Sequence, residues 1–586
     1  MGQPKGRTAV TTSLASPIGG WNARDSLANM NALDAVQLVN FFPTPTDIML
    51  RKGFTKYSTN LGGAVNTLVS YNASNPQKLF AFANDKIYYA DAGPASQVYS
   101  GLNTSVFQTV SISNAAGSFI SAVSGLDQPL LYDGSIWYQL ASTETPQTIS
   151  SITHILTRAQ LTTAVAHGLK TGNKVTITGA TPAAYNGTFV ITVINTTQFE
   201  YTMLSTPVGS ATVMGAYTTL GITGVDPAKF VNVNLFKNRL YYTEKDSLKV
   251  WYLGVNAIAG AANQLDFGGI ARNGGYIQAM GTWTLDAGQG VDDYAVFVTN
   301  MGEVIVYNGT DPTDATTWSL KGVWQLGQTF NRRCFFKWSG DLLLMTQDGL
   351  VPLSSALQSS RLDPRINLTD KIFYAVSQAA TLYYDNFGWQ IQYFASENML
   401  ILNIPTDSGN EQYVMHTITK SWARFTGINA HCFEVHDKAG MFFGSNGYVG
   451  KFYDGYDDGG SNITAQVQQA YSYFDSPGKL KRFTLVRPIL QTYNGTPTVL
   501  CNISVDFDTQ NNLSQISFNP TIARTGKWDI SVWDNALWGG GLAITKVWQG
   551  VTGLGFSGSI NMSVASSGIE MHWASTDYVM EGGGVL

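Results

Sequence analysis

The sequence predicts an all-β protein: a β-propeller body that carries an inserted small β domain and ends in a C-terminal β-sandwich platform. Three observations carry this. First, a short apolar strand, a tight turn, a second short strand and an aromatic–Asp/Asn–Gly mark recur along the chain, as in Leu130-Leu131-Tyr132-Asp133-Gly134, Val304-Ile305-Val306-Tyr307-Asn308-Gly309 and Lys451-Phe452-Tyr453-Asp454-Gly455. Asp-Gly and Asn-Gly supply the positive φ that tight hairpin turns need. A loose spacing of about 40–50 residues is how radial β architectures read in sequence. Second, the stretch from Ile149 to Tyr217 is Thr-rich and alternates strictly, as half-buried antiparallel strands do. Third, 59 glycines and 12% aromatic residues favour hairpins with rigid packing over helices.

The elements follow in order. Residues 1–60 form an arm. Gly19-Gly20-Trp21-Asn22 leads into a helix-compatible stretch, Ala23 to Val36, and then into Asn40-Phe41-Phe42-Pro43-Thr44-Pro45. Each proline there restrains its predecessor to extended geometry, so this piece is expected to lie on a neighbouring surface, the platform. Residues 61–148 hold the first part of the propeller, including the hairpin Leu79 to Ala90. Residues 149–217 are the inserted domain. The hairpin rhythm resumes over 218–456, with units near Phe236 to Leu253, Tyr294 to Gly309, Phe335 to Leu353, Met399 to Phe425 and His431 to Gly455. About six blades are expected. One helix is expected over Leu368 to Tyr383, with Thr369-Asp370 as its N-cap. Residues 457–586 change texture again. Their strand-like runs and the cluster Trp528, Trp533, Trp538 and Trp548 predict the sandwich, which is expected to attach the chain to a ring or adaptor.

Charged residues make up only 13% of the 586, about half the usual share. Few charges mean few solvated faces, which points to burial against other chains. The net charge is −5 and no run of Lys or Arg occurs, so tight phosphate-gripping of nucleic acid is excluded. The three cysteines, Cys334, Cys432 and Cys501, are far apart and are expected as buried free thiols. No apolar window is long enough to cross a membrane as a helix.

Little in the sequence marks a catalyst. In a strand, Cys432, Glu434 and His436 share one face, but no second ligand pair lies nearby, so strand packing is the preferred reading. The acidic turns Asp292-Asp293, Asp311 with Asp314, and Asp457-Asp458 lack calcium-loop spacing and read as turn punctuation. A glycosidase needs two carboxylates facing one sugar, and nothing selects such a pair. The glycine clusters Gly539-Gly540-Gly541 and Gly582-Gly583-Gly584 lack the Gly-Lys-Ser/Thr ending of a phosphate loop. No catalytic residue, metal or cofactor is expected. Lys479, Lys481 and Arg482 form the densest basic group, a candidate subunit or adaptor contact. Phe41, Phe42, Trp533 and Trp538 are candidate contacts on apolar grounds.

Several stretches carry a resemblance. One is Tyr307-Asn308-Gly309-Thr310-Asp311-Pro312 through Gly340-Asp341-Leu342-Leu343-Leu344 to Asp348-Gly349-Leu350-Val351-Pro352-Leu353. Others are the opening Gly19-Gly20-Trp21-Asn22 and its Phe41-Phe42-Pro43 continuation, and Trp533-Asp534-Asn535-Ala536-Leu537-Trp538-Gly539-Gly540-Gly541. Together they resemble the tail nozzle of short-tailed bacteriophages, also called tail tubular protein B, of the packaged-DNA stabilisation group. The segment His167-Gly168-Leu169-Lys170-Thr171-Gly172 through Tyr185-Asn186-Gly187-Thr188-Phe189 is similar to a small β module inserted in many phage tail and baseplate proteins. The resemblance implies a virion protein without enzymatic activity that forms a homohexamer. Its implied partners are a tail adaptor ring, tail fibres or spikes, double-stranded DNA in transit and the host cell envelope. Two rivals stand beside it: a receptor-binding or fibre-attachment protein, which would usually be a trimer, and a propeller glycan hydrolase.

Overall fold

The computed structural model describes residues 9–582 apart from 141–145, 287–290, 339, 358–365, 438–439, 494, 496, 509–513 and 516–542. The chain divides into two compact units. Unit 1 comprises Met1–Tyr57, Pro364–Phe443 and Gly450–Leu586; unit 2 comprises Ser58–Asp363 and Gly444–Val449.

Unit 2 is a β-propeller with five antiparallel blades among its described residues. The innermost strands are residues 65–71 of Phe54–Tyr71, then Gln108–Asn114, Phe230–Phe236, Ile277–Asp286 and Phe335–Trp338. Each blade then steps outward through hairpins. The second runs Gln108–Asn114, Gly117–Val123, Leu130–Tyr132, Trp137–Gln139, and its last turn carries the Asp133-Gly134 pair read from sequence, with Gly134 at φ +91°. Neighbouring blades are stapled by side chains that bond main-chain groups. Asn234 Nδ2 donates to Met280 O at 2.6 Å, and Thr282 Oγ1 donates to Leu235 O at 3.0 Å. Arg333, just before the fifth blade, closes the circle: Nη2 donates to Asn66 O at 3.0 Å and Phe107 O at 3.3 Å on the first and second blades. Between blades lie mixed aromatic and aliphatic cores, such as Phe80, Phe82, Tyr132 and Trp137 between the first two.

The inserted domain is a seven-stranded antiparallel sheet from Gln147–Ile155 to Ala216–Thr219. It has its own core, with Ile152, Leu161, Val175, Ile177, Phe199 and Tyr217 on the inward side of alternating strands. Its two ends are neighbours, because Gln147 and Thr148 lie opposite Tyr217 and Ala216. It touches the second blade through Lys174 to Asp133 at 2.9 Å and Asn173 Nδ2 to Gln139 O at 3.0 Å. A domain with a private core and adjacent ends is removable. Replacing residues 149–217 with a short Gly-Ser bridge is therefore expected to leave a folded propeller. Circular dichroism checks this, and loss of β-structure in the deletion would contradict it.

Unit 1 is a sandwich of two sheets. One, ten-stranded, runs in order Gln390–Phe394, Met399–Thr406, Gly409–His416, Trp422–Phe425, Asp34–Val39, Ile463–Gln469, Gly558–Ser566, Thr498–Val505 and Ser514–Gln515, with Gly20–Trp21 beside Asp34–Val39. The other, seven-stranded, centres on Lys481–Tyr493 and Glu570–Gly582, with Ala9–Ala15, Phe41–Pro43, Ile48–Leu50, Ala543–Thr545 and Gln549–Gly555 around them. Val499, Cys501 and Ile503 point inward from one sheet, and Met571, Trp573, Tyr578 and Met580 from the other. In Glu570–Gly582 the inward positions switch from odd to even after Trp573, because the register slips at Ala574; a one-residue bulge flips the faces.

This division corrects three expectations. The strands of Met399–Phe425 have the hairpin texture of a blade, yet they belong to unit 1 and not to a propeller spanning 218–456, because Trp422–Phe425 continues sideways onto Asp34–Val39. The expected six blades become five among the described residues, because residues 61–148 supply two blades and not one, while neither Met399–Phe425 nor His431 to Gly455 forms a separate blade. The stretch Ala23 to Val36 is not helical: turns lead into strand Asp34–Val39, and Asn22 Oδ1 accepts from the backbone N–H groups of Arg24 and Asp25 at 3.1 and 3.0 Å, a local alternative to helix bonding. The expected helix over 368–383 forms as a 3₁₀ turn, Asp370–Ile372, running into the helix Phe373–Tyr383, and Thr369 makes no side-chain cap bond.

Candidate functional site

Unit 1 holds a cleft of about 370 Å³. Its floor is the sheet, where Glu411, Tyr413 and Arg424 stand on adjacent antiparallel strands, with Tyr413 directly opposite Arg424. One wall is the helix Phe373–Tyr383, which presents Ala375, Gln378, Ala379, Leu382 and Tyr383 at helical spacing. Trp21, at the end of the short strand Gly20–Trp21, and the hairpin residues Thr406 and Ser408 complete the rim.

The polar groups converge on the floor. Arg424 forms a two-pronged ion pair with Glu411, Nε to Oε2 at 2.8 Å and Nη2 to Oε1 at 2.6 Å. That pair raises the guanidinium above its ordinary value, chiefly through the hydrogen bond to Glu411. Tyr413 is 7% exposed, and burial pushes its phenol up to about 12, so it stays a neutral donor at physiological pH. Trp21 meets it edge-on with ring centres 5.1 Å apart. Among the described residues, the hydroxyls of Tyr413 and Tyr383, the amide of Gln378 and Nη1 of Arg424 have no hydrogen-bond partner. The arrangement sets apolar side chains beside a neutral set of donors and acceptors.

A second cluster joins the hairpin Phe41–Leu50 to strand Glu570–Gly582. His572 Nδ1 lies 2.9 Å from Asp47 Oδ2, and Nε2 lies 3.2 Å from Glu570 Oε1. Tyr456 Oη donates to Glu570 at 2.5 Å, and Thr44 Oγ1 donates to Asp47 at 2.5 Å. Ionised carboxylates only accept, so both ring nitrogens must donate and the imidazole is protonated. The Asp47 hydrogen bond, aided by Glu570, raises His572 above the ordinary imidazole value against the pull of burial. Burial works against ionising Asp47 and Glu570 as well, yet their hydrogen bonds, from His572 and Thr44 to Asp47 and from Tyr456 and His572 to Glu570, hold both below the carboxylate range. Lys52, paired with Glu397 at 3.1 Å, adds positive potential near Glu570.

A raised histidine contributes stability in full below about pH 6.5 and loses it as pH rises through its folded value. The lowered carboxylates contribute above about pH 4.5 and lose it as pH falls through their folded values. The clasp is therefore tightest between those limits. Partial exposure screens it, so the loss on the alkaline side is about 1 kcal/mol. Hydrogen exchange of backbone amides in 41–50, corrected for intrinsic pH dependence, is expected to lose about fivefold protection as pH rises above 6.5 in the native protein and to stay flat in His572→Gln. Equal pH dependence in both would contradict the clasp.

The residues singled out from sequence are not gathered at the cleft. Phe41 and Phe42 are 0% and 3% exposed; Phe42 packs on His416 and Phe425 with ring centres 5.5 and 6.1 Å apart. Burial in the chain's own core removes them as subunit contacts. Lys481 is likewise corrected: its ammonium is buried and donates to the carbonyls of Ser476, Lys479 and Phe556 at 2.7, 3.0 and 2.7 Å, and burial lowers its pKa. Lys479 and Arg482 are exposed, Arg482 facing Glu581 at 4.0 Å. Trp528, Trp533, Trp538 and the cluster Gly539-Gly540-Gly541 lie outside the described residues.

The acidic turns are occupied by local bonds. Asp311 and Asp314 accept from Thr313 and Thr316 two residues on, Asp457 accepts from Gly460 N, and Asp293 pairs with Lys237 at 2.7 Å. His436 packs at a ring-centre distance of 5.7 Å from Phe442. Among the described residues, no group of three or more His, Cys, Asp or Glu side chains is arranged to hold a metal ion. The cleft had no local sequence signal beyond the helix. Its residues are drawn from positions 21, 375–383 and 406–424, and the polar ones look like ordinary strand-surface residues until the sheet brings them together.

No family model matches the chain, and no curated protein sequence matches it significantly. Among solved structures it is similar to Sqt1 of Saccharomyces cerevisiae at 10% identity, over 68% of this chain and 98% of that one, with a TM-score of 0.32. It is similar to the β-propeller domain of Cps50 (Swd1), labelled Myceliophteria thermophila, at 9% identity over 68% and 98%, with a TM-score of 0.28. It is also similar to the computationally designed protein Ika8 at 10% identity over 68% and 99%, with a TM-score of 0.33. The description of unit 2 as a propeller stands on its strand pairing.

Proposed function

We propose that this chain is a structural protein of a short-tailed phage virion, forming the distal tail tube or nozzle that retains packaged DNA and lets it pass on ejection. The family assignment comes from the sequence resemblance. The observation that best supports a load-bearing role is the way unit 1 is laced. Strand Ala9–Ala15 lies antiparallel to Glu570–Gly582 through seven consecutive residue pairs, Ala9 with Glu581 to Ala15 with Ser575. Inter-strand bonds run perpendicular to the strands, so tension along the chain loads them together and not one after another. A tube wall around compressed DNA needs that kind of seam. The charge balance fits the same role: with 35 basic against 40 acidic side chains, the chain carries no basic excess on which DNA would stall.

In this reading the chain is not an enzyme. It assembles as a hexamer, and the adaptor ring, fibres or spikes, DNA in transit and the host envelope are its partners. Class averages from negative-stain micrographs of the purified protein test it. Six-fold rings with an open bore are expected. Three-fold particles, or single chains only, would overturn the assignment.

A further inference from the structure

We propose that the cleft between the helix Phe373–Tyr383 and the strands bearing Glu411, Tyr413 and Arg424 is a binding site for a neutral saccharide. Its volume, about 370 Å³, falls in the range of small-ligand pockets, which begins near about 300 Å³. Charge selects the ligand class. Glu411 and Arg424 cancel each other on the floor, and no other Asp, Glu, Lys, Arg or His lines the cleft. An anion would meet the Glu411 carboxylate and a cation would meet the Arg424 guanidinium. A neutral ligand meets neither penalty.

Hydrogen-bonding capacity narrows the class further. The pair spends Nε and Nη2 of Arg424 on the two Glu411 oxygens but leaves Nη1 and the remaining carboxylate lone pairs for a ligand. The hydroxyls of Tyr413 and Tyr383 and the amide of Gln378 add groups without partners among the described residues. A ligand that donates and accepts at adjacent atoms satisfies such a set, and vicinal hydroxyls do so. Beside them stand Trp21 on the rim and Ala375, Ala379 and Leu382 on the helix wall, the last 61% exposed, a surface for the C–H face of a sugar ring. Among the lining residues Glu411 is the only carboxylate, where canonical hydrolysis of a glycosidic bond uses a pair, so the site is assigned to holding its ligand and not to cleaving it.

The test is saturation-transfer-difference NMR of the full chain with D-glucose, D-galactose, L-rhamnose and N-acetyl-D-glucosamine, with inorganic phosphate and choline as charged probes. At least one sugar is expected to receive saturation, most strongly at its ring C–H protons. Glu411→Gln is expected to weaken that sugar about tenfold, and Trp21→Ala to abolish the signal. Gln378→Ala, at an exposed helix position, is expected to weaken it while leaving the circular dichroism and melting of the protein unchanged. Saturation of none of the four sugars, a signal that persists in both Trp21→Ala and Glu411→Gln, or displacement of the sugar by phosphate or choline would overturn the proposal. The readout needs no ring assembly, so its failure and the failure of the nozzle assignment are separately visible.

Discussion

Replacing Arg51 with methionine is expected to lower the melting temperature of unit 1 by roughly 10 °C, the equivalent of about 3–5 kcal/mol. Arg51 has no side-chain exposure, and all five of its N–H groups are used. Nε donates to Asn40 Oδ1 at 2.8 Å. Nη1 donates to Asp458 Oδ1 at 2.7 Å and Lys52 O at 3.0 Å, and Nη2 to Asp458 Oδ2 at 2.6 Å and Thr426 O at 2.7 Å. Methionine fills the space but strands the Asp458 carboxylate and takes the guanidinium from the Lys52 and Thr426 carbonyls, while Asn40 Oδ1 keeps the Thr426 N–H at 2.8 Å; that orphaned burial is the source of the cost. Lysine should not rescue, because a point charge cannot replace a planar fork. The double variant Arg51→Met with Asp458→Asn should lose less than the two single losses combined. Differential scanning calorimetry decides this; a shift of less than about 2 °C in Arg51→Met would mean that the network is not holding the unit.

Gly53→Ala, two residues on, is expected to cost about 3 kcal/mol by a different route. A Cβ on Gly53 would stand 1.6 Å from the carbonyl oxygen of Asp457 and 2.3 Å from its carbon. Those are backbone atoms, so no rotamer change relieves the overlap. The chains are close because they are bonded there: Gly53 N to Gly455 O at 2.9 Å, Phe54 N to Asp457 O at 3.0 Å and Asp454 N to Gly53 O at 3.0 Å. Alanine forces these bonds open. Melting of unit 1 and exchange of the Gly53, Phe54 and Asp454 amides should report it together; native-like protection of all three in the variant would contradict the contact.

Local chemistry was the legible part of the fold. Asp-Gly and Asn-Gly turns located hairpins, and strict alternation located the inserted domain, because both signals live within a few residues. What stayed hidden depends on partners far along the chain. Met399–Phe425 reads like any blade hairpin; only its parallel neighbour, through Val39 opposite Arg424, assigns it to the other unit. Lys481 reads like a surface cation until Phe556, far downstream, supplies a carbonyl to its ammonium. Phe41 and Phe42 read as needing cover, but both are buried within this chain, Phe42 under its own Phe425 and His416. The cleft was invisible for the same reason, since Trp21 and Tyr413 meet only after the sheet has formed.

The seam between Ala9–Ala15 and Glu570–Gly582 also sets a timetable for biosynthesis. The first of these strands leaves the ribosome several hundred residues before its partner. At about 5–20 residues per second, it waits on the order of a minute before it can pair. Both stretches of unit 2, 58–363 and 444–449, are complete before that, so unit 2 can fold while the last part of the other unit is still being made. An unpaired strand is a template for pairing with a neighbouring chain on the same message. The sequence AVTTSLA, with three hydroxyl side chains and mostly solvent-facing positions even in the folded state, makes a poor such template. The strand that closes the sandwich last is thus one that tolerates being left open longest.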